Sequence, residues 1–148
     1  MPALLFHTFK DDMQPDPQVI KADADNEALN GSGVDMLGYE GVVFIAQALK
    51  GEIATFKIKA QQDSASNYGT AADLEGTEVS FATAVATDGF AFLEVRYPQE
   101  RYVRPVVTVP NLTTPNAVSV VAIRYGKGKR PETNADGEVH FAPAEGTA

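Results

Sequence analysis

Apolar and polar residues alternate with a period of two through most of the middle of the chain, a pattern typical of β-strands buried on one face. Residues 53–60 place Phe56, Ile58 and Ala60 on one face and polar residues on the other. Residues 78–85 alternate in the same way. The buried face of this second strand is expected to carry Val79, Phe81 and Val85.

Four further segments are rich in β-branched and aromatic residues and predict strands. They are residues 41–46, 90–96, 102–109 and 117–125. The first of them is apolar at almost every position, which indicates a central strand. Pro105 interrupts an otherwise strong strand and donates no backbone hydrogen bond, so we expect that strand to lie at a sheet edge or to contain a bulge.

Turn residues punctuate these segments at regular intervals, which favours a compact antiparallel architecture. Residues 87–90 (TDGF) have the pattern of a two-residue β-hairpin between two strands. Residues 23–29 are the one segment predicted to form a short helix. The pattern therefore predicts an all-β protein, an antiparallel β-sandwich or jelly roll of about seven or eight strands.

Proline and charge divide the chain into three parts. Residues 1–20 are expected to form an N-terminal arm, residues 21–130 the β-sandwich domain, and residues 131–148 an acidic C-terminal tail. Phe6 and Phe9 make the arm apolar enough to dock on another surface. The tail has the composition of a disordered segment, or of an extended arm that becomes ordered on a neighbouring subunit.

The net charge of −8 is distributed unevenly along the 148 residues. Residues 1–95 carry a net −10, residues 96–130 a net +6 and residues 131–148 a net −4. So acidic a chain is poorly suited to general nucleic-acid binding, which depends on neutralising phosphates. The uneven distribution suits association with a charged protein surface, unless the fold interleaves the segments and mixes the two signs.

Residues that carry chemistry are sparse. The chain has no cysteine, and its two histidines, His7 and His140, have no metal-type spacing. No catalytic or phosphate-binding motif occurs, so we expect neither an enzyme nor a bound metal or cofactor. There is no apolar run of transmembrane length and no recognisable signal peptide, so we expect a soluble protein that does not bind membranes and is not exported.

A cluster of aromatic and basic residues is the strongest candidate for a binding site. Tyr97, Arg101, Tyr102 and Arg104 lie within eight positions of one another. Tyrosine and arginine are the residue types enriched at protein interfaces. The alternative is structural, with tyrosines that cap the core at the end of a sheet.

Three segments in order along the chain resemble a known group of proteins. They are residues 34–44 (VDMLGYEGVVF), 56–63 (FKIKAQQD) and 101–108 (RYVRPVVT). Together they are similar to the small proteins encoded beside the major capsid gene in tailed bacteriophages, which include head-decoration or cement proteins. The resemblance covers about residues 34–125 and implies a β-sandwich or jelly-roll fold.

The resemblance implies a structural virion protein that binds the outer surface of the capsid and stabilises it by bridging subunits. Its partners would be the major capsid protein and other copies of itself, as a dimer or trimer, on a particle assembled in the host cytoplasm. The residues expected to make these contacts are Arg96, Arg101, Tyr102, Arg104, Arg124, Lys127, Lys129 and Arg130, with Phe6 and Phe9 as anchors of the arm. A glycan- or receptor-binding module and a phage neck or tail ring protein are the alternatives.

Overall fold

The structure is a computed structural model that describes residues 13–126, and it contains two antiparallel sheets packed face to face. The first sheet consists, in spatial order, of β1 (Gln14–Ala24), β10 (Asn116–Tyr125), β4 (Gly41–Ala48) and β8 (Gly89–Arg96). The second consists of β2 (Glu27–Asn30), β9 (Tyr102–Val109), β5 (Ala54–Asp63) and β6 (Ala72–Asp73), with β3 (Val34–Asp35) paired to β9 and β7 (Val79–Thr83) paired to β5.

The predicted all-β sandwich is confirmed, with ten strands and no helix in the described residues. The number exceeds seven or eight partly because β3 and β6 are pairings of only two residues each. Accordingly, no helix within residues 13–126 is long and apolar enough to cross a membrane.

The core lies between the inner faces of the two sheets. Phe56, Ile58 and Ala60 of β5 are fully buried, as their alternation predicts. The rings of Phe56 and Phe81 stack with their centroids 5.5 Å apart. β4 is a central strand of the first sheet, as expected. Its Phe44 is fully buried on the inner face of that sheet.

The predicted helix at residues 23–29 is wrong. The chain there ends β1 at Ala24, turns through Asn26 in the left-handed region (φ 45°) and begins β2 at Glu27. A helix of two turns gains little from its few hydrogen bonds, because nucleation is costly. Pairing of β2 with β9 instead joins residues 27–30 to an interior strand of the second sheet.

The predicted hairpin at residues 87–90 is also wrong. The tight turn lies earlier, where Ala84 and Thr87 exchange backbone hydrogen bonds of 2.9 and 3.3 Å. β7 and β8 then enter different sheets, so this turn is a corner of the sandwich. Val85 lies in that turn and is 71% exposed, contrary to its predicted burial.

Pro105 lies on β9 in the interior of the second sheet, so the edge position, one of the two predicted alternatives, is wrong. The other alternative, a bulge, is present on the side of β2 and β3, where residues 31–33 lie opposite only residues 104 and 105. On one side of β9, the neighbouring strands β2 and β3 leave a gap at residues 31–33. The carbonyl of Pro105 accepts a 2.9 Å hydrogen bond from the Gly31 N–H on that side. The proline nitrogen therefore faces the gap, where no ladder hydrogen bond is lost.

The end of the expected N-terminal arm belongs to the first strand of the sandwich. Residues 14–20 of the expected arm form the first part of β1, whose ladder with β10 begins at Gln14 and Arg124. The rest of the predicted arm, with Phe6 and Phe9, lies outside the described residues. The predicted acidic tail at 131–148 also lies outside them.

Candidate protein-binding site

All five tyrosines of the chain lie at one end of the sandwich, where β4 and β9 begin and β5, β8 and β10 end. They are Tyr39, Tyr68, Tyr97, Tyr102 and Tyr125. Four arginines lie with them: Arg96, Arg101, Arg104 and Arg124. We call this region the Arg–Tyr end. It assembles the predicted cluster of four residues and enlarges it.

Each of the four arginines lies over a tyrosine ring. The distances from the guanidinium carbon to the ring centroid are 4.6 Å for Arg124 over Tyr39, 4.7 Å for Arg104 over Tyr68, 5.2 Å for Arg101 over Tyr102 and 5.8 Å for Arg96 over Tyr97. Each such contact contributes about 0.5–1 kcal/mol at an exposed site. The pairs also restrict one another's rotamers, which lowers the entropic cost of binding a partner.

Arg101 forms a two-pronged ion pair with Asp35 at the surface of this end. Its Nε and Nη2 donate to the two carboxylate oxygens at 2.9 and 2.6 Å. This pairing lowers the pKa of Asp35 below its ordinary value and raises that of Arg101. Because the Arg101 side chain is 48% exposed, solvent screens the pair and it contributes little to stability. Much of its charge is nevertheless already matched within the chain.

Arg124 is a structural residue in the described fold, contrary to its predicted role as a surface contact. It is 9% exposed, and its Nη2 donates to the Asp16 carboxylate at 2.6 Å. Its Nη1 donates to the carbonyl oxygen of Asp35 at 2.8 Å, which joins the first sheet to the second. Arg124 is buried because it lies on the inner face of β10, in alternation with Val120 and Ala122.

Arg104 and Tyr68 form the part of the Arg–Tyr end that lies on the second sheet. Arg104 donates from Nε and Nη2 to Oε1 of Gln61 at 2.9 and 2.7 Å. Tyr68 packs against Gly33, where any side chain would overlap the phenol. Burial raises the pKa of Tyr68 to about 12, so its hydroxyl is neutral at physiological pH.

Tyr97 is the most prominent side chain of the Arg–Tyr end. It is 66% exposed and adopts the left-handed backbone region at φ 49°. Tyr68 is also left-handed, at φ 54°. A bulky residue with positive φ is unusual and costs roughly 1–3 kcal/mol, and such residues concentrate at functional sites. The Tyr97 backbone N–H donates a 2.8 Å hydrogen bond to the carbonyl oxygen of Glu40, which holds the strained turn in place.

The charges of the predicted patch are largely mixed with those of the acidic segments. Asp35 and Asp16 come from the acidic part of the chain, and they pair with Arg101 and Arg124. Arg96 remains 58% exposed in its side chain, with Glu94 at 3.9 Å. Three predicted contact residues, Lys127, Lys129 and Arg130, lie outside the described residues.

Tyr39, Tyr68 and Tyr125 were missed as members of the cluster because they are distant in sequence from Tyr97 and Tyr102. For Tyr39 and Tyr125 a usable signal was their position next to or at the end of the predicted strands at residues 41–46 and 117–125. In an antiparallel sandwich, the start of one strand meets the end of its neighbour at the same edge. Residues 13–126 bring together no group of three or more histidine, cysteine or acidic side chains that could hold a metal ion.

Comparison with known proteins identifies a similar fold. The crystal structure of PBSX exported protein XepA superposes with a TM-score of 0.54 at 18% sequence identity. The match covers 86% of this chain and 43% of that chain, so this chain corresponds to less than half of the XepA length. Scans against protein-family models and curated proteins found no match. The similarity shows a shared sandwich fold.

Proposed function

We propose that this protein is a structural component of a tailed-phage virion that binds the outer surface of the capsid through its Arg–Tyr end. In this role it stabilises the capsid by bridging major capsid subunits. It acts as a binding protein on the particle surface, associates with copies of itself, and is not an enzyme. Neither nucleic acid nor a membrane is its partner.

The observation that carries this proposal is the exposed, strained Tyr97 among stacked Arg–Tyr pairs. Tyrosine and arginine dominate the binding energy of protein interfaces, because each offers a large apolar area together with hydrogen-bonding groups. Tyr97, Arg96 and Arg101 are the exposed members of the cluster. Their rigid placement on the ends of strands provides a preorganised surface for a protein partner.

Two further observations support a phage role. The segments that resemble head-decoration proteins form β3, the first half of β4, most of β5 and most of β9, and the last three of these strands are interior to the sheets. The fold is shared with PBSX exported protein XepA. Capsid cement also requires many copies, and repeated modest contacts of linked subunits reach high overall affinity without one strong site.

Co-sedimentation with capsids that lack this protein tests the proposal. We expect saturable binding and a higher temperature of capsid rupture. Tyr97→Asn removes the ring but retains a residue that tolerates the left-handed backbone, and we expect it to weaken binding roughly tenfold or more. Val85→Asn, at the opposite end of the sandwich, is the matched control and should bind like the wild type.

Equal capsid occupancy for Tyr97→Asn and the wild type would show that the Arg–Tyr end is not the capsid contact. Absence of any capsid binding would contradict the proposed function itself. In that case, binding of the isolated protein to a glycan array would favour a recognition module. A hexameric or dodecameric mass would favour a neck or tail ring protein.

A further inference from the structure

The outer face of the first sheet, directed away from the core, is unusually apolar. Residues that are partners across the four strands form rows perpendicular to the strands. Two of these rows carry most of the exposed apolar side chains. The first row is Ile20, Ser119, Gln47 and Phe90, and the second is Pro17, Val121, Ile45 and Phe92. Ile20 is 80% exposed, Phe90 62% and Phe92 63%. We call this surface the apolar face.

The outer face of the second sheet is polar, and it serves as a comparison for the apolar face of the first sheet. Lys57 of β5 pairs with Glu78 at 2.8 Å, and Lys59 pairs with Asp73 at 2.7 Å. An antiparallel sheet with one face in water normally alternates apolar and polar residues in this way. The first sheet departs from that rule, and large exposed apolar patches mark interaction sites.

The apolar face also contains a groove. It has a volume of about 250 Å³ and runs over the small side chains of Ala117 and Ser119 on β10. Ile20 of β1 borders it on one side, and Gln47 and Leu49 at β4 border it on the other. The groove therefore lies in the first row, and Phe90 projects from the opposite edge of that row.

This arrangement is self-complementary under two-fold symmetry. An axis parallel to the strands and midway between β10 and β4 would place β8 of one copy opposite β1 of the other, because it reverses the strand order of the facing sheet. Each row then faces the same row of the second copy. Phe90 comes to face Ile20 at the border of the groove, and Phe92 comes to face Pro17.

We propose that two copies of this chain associate through their apolar faces, with Phe90 of each copy seated in the groove of the other. The two-fold axis generates the contact twice, so Phe90 supplies the anchor on both sides. Sheets stacked in this way lie about 10 Å apart, the spacing found within β-sandwiches. The contact repeats, between two copies, the packing that already forms the core of each one.

Charge favours a second copy as the occupant. The chain carries a net charge of −8, so two copies repel each other over most of their surfaces. The outward positions of β8 include one acid and one base, Glu94 and Arg96. Lys21, which also lines the groove, is paired with Glu27 at 2.5 Å, so the charges at this face cancel. Two like-charged copies therefore approach with least repulsion through this face.

The size of the face agrees with a small specific interface. Eight residues along β4 and four strands across give about 27 Å by about 19 Å, or about 500 Å² in projection, from ordinary strand spacings. The accessible area of projecting side chains exceeds the projection. It thus approaches the roughly 600 Å² per partner at the lower limit of stable interfaces.

The mass of the full chain in solution tests this inference. It deepens the self-association part of the proposed function and needs no capsid, so its failure is separate from failure of capsid binding. Sedimentation equilibrium of the wild type should give twice the chain mass of 15.8 kDa at micromolar concentration. Phe90→Lys should give the monomer mass. Ile53→Lys, a matched change at a residue 82% exposed away from the apolar face, should remain dimeric.

A mixing experiment tests the seating of Phe90 in the groove. Ser119→Glu places an acid in the groove and should also be monomeric. An equimolar mixture of Phe90→Lys and Ser119→Glu should restore the dimer, because the heterodimer has one unchanged contact and one opposite-charge contact.

Three results would overturn the inference: a monomeric wild type at 100 times the expected micromolar range, a dimeric Phe90→Lys variant, or a mixture that stays monomeric. A monomeric wild type is also the result expected if another part of the same chain covers the apolar face.

Discussion

Replacement of Asp16 by alanine is expected to destabilise the protein strongly, because it leaves the guanidinium of Arg124 buried without its counter-ion. The two side chains are 22% and 10% exposed, and they are joined by a 2.6 Å hydrogen bond. Removing one partner of a buried ion pair costs about 3–5 kcal/mol. Arg124 keeps the carbonyl of Asp35 and the ring of Tyr39, and Asp16 is partly solvated. We therefore expect about 3 kcal/mol.

Glu78→Ala provides the matched comparison, since it removes the acid of an exposed pair. Lys57 and Glu78 are 48% and 52% exposed in their side chains. Such pairs contribute about 0.2–1 kcal/mol. Urea denaturation followed by circular dichroism measures both variants. For a slope of about 2 kcal/mol per molar urea, Asp16→Ala should lower the midpoint by about 1.5 M, and Glu78→Ala by less than about 0.5 M.

A loss for Asp16→Ala within about 0.5 kcal/mol of that for Glu78→Ala would refute the reasoning, because burial would then not distinguish the two pairs. Replacing both partners with apolar residues, Asp16→Leu with Arg124→Met, should recover much of the lost stability, since no unpaired charge remains. Consequently, loss of capsid binding by an Arg124 variant would report unfolding and would not identify Arg124 as a contact.

Two other predictions concern local strain and pH. Gly33→Ala should destabilise the protein by more than Gly76→Ala: both glycines have positive φ (82° and 74°), but only at Gly33 would the added carbon overlap Tyr68. Similar urea midpoints for the two variants would contradict that packing. The contribution of Asp35 to the free energy of unfolding should be fully present above the ordinary aspartate pKa of about 3.9 and be lost as the pH drops through its lowered folded-state pKa. Asp35→Asn should show a smaller loss between pH 5 and pH 2 than the wild type, and an equal loss would refute this linkage.

The face of each strand that enters the core was largely determined by the sequence, because neighbouring side chains of a strand point in opposite directions whatever the partner strand. Phe56 and Ile58 are buried for that reason, and the apolar run at residues 41–46 is central. That run is also apolar on its outer face, through Val43 and Ile45. Its two-sided character therefore agrees with both a central position and the proposed contact between copies.

The partner of each strand was decided only by the tertiary structure, since pairing joins segments far apart in the chain. Residues 84–88 connect the two sheets at a corner, although their local sequence favours a hairpin. Pro105 is accommodated in an interior strand because two short neighbours leave a gap opposite it. Arg124 is buried because Asp16, 108 positions away, supplies its counter-ion. Local patterns set the direction of a side chain, and long-range pairing sets what it meets.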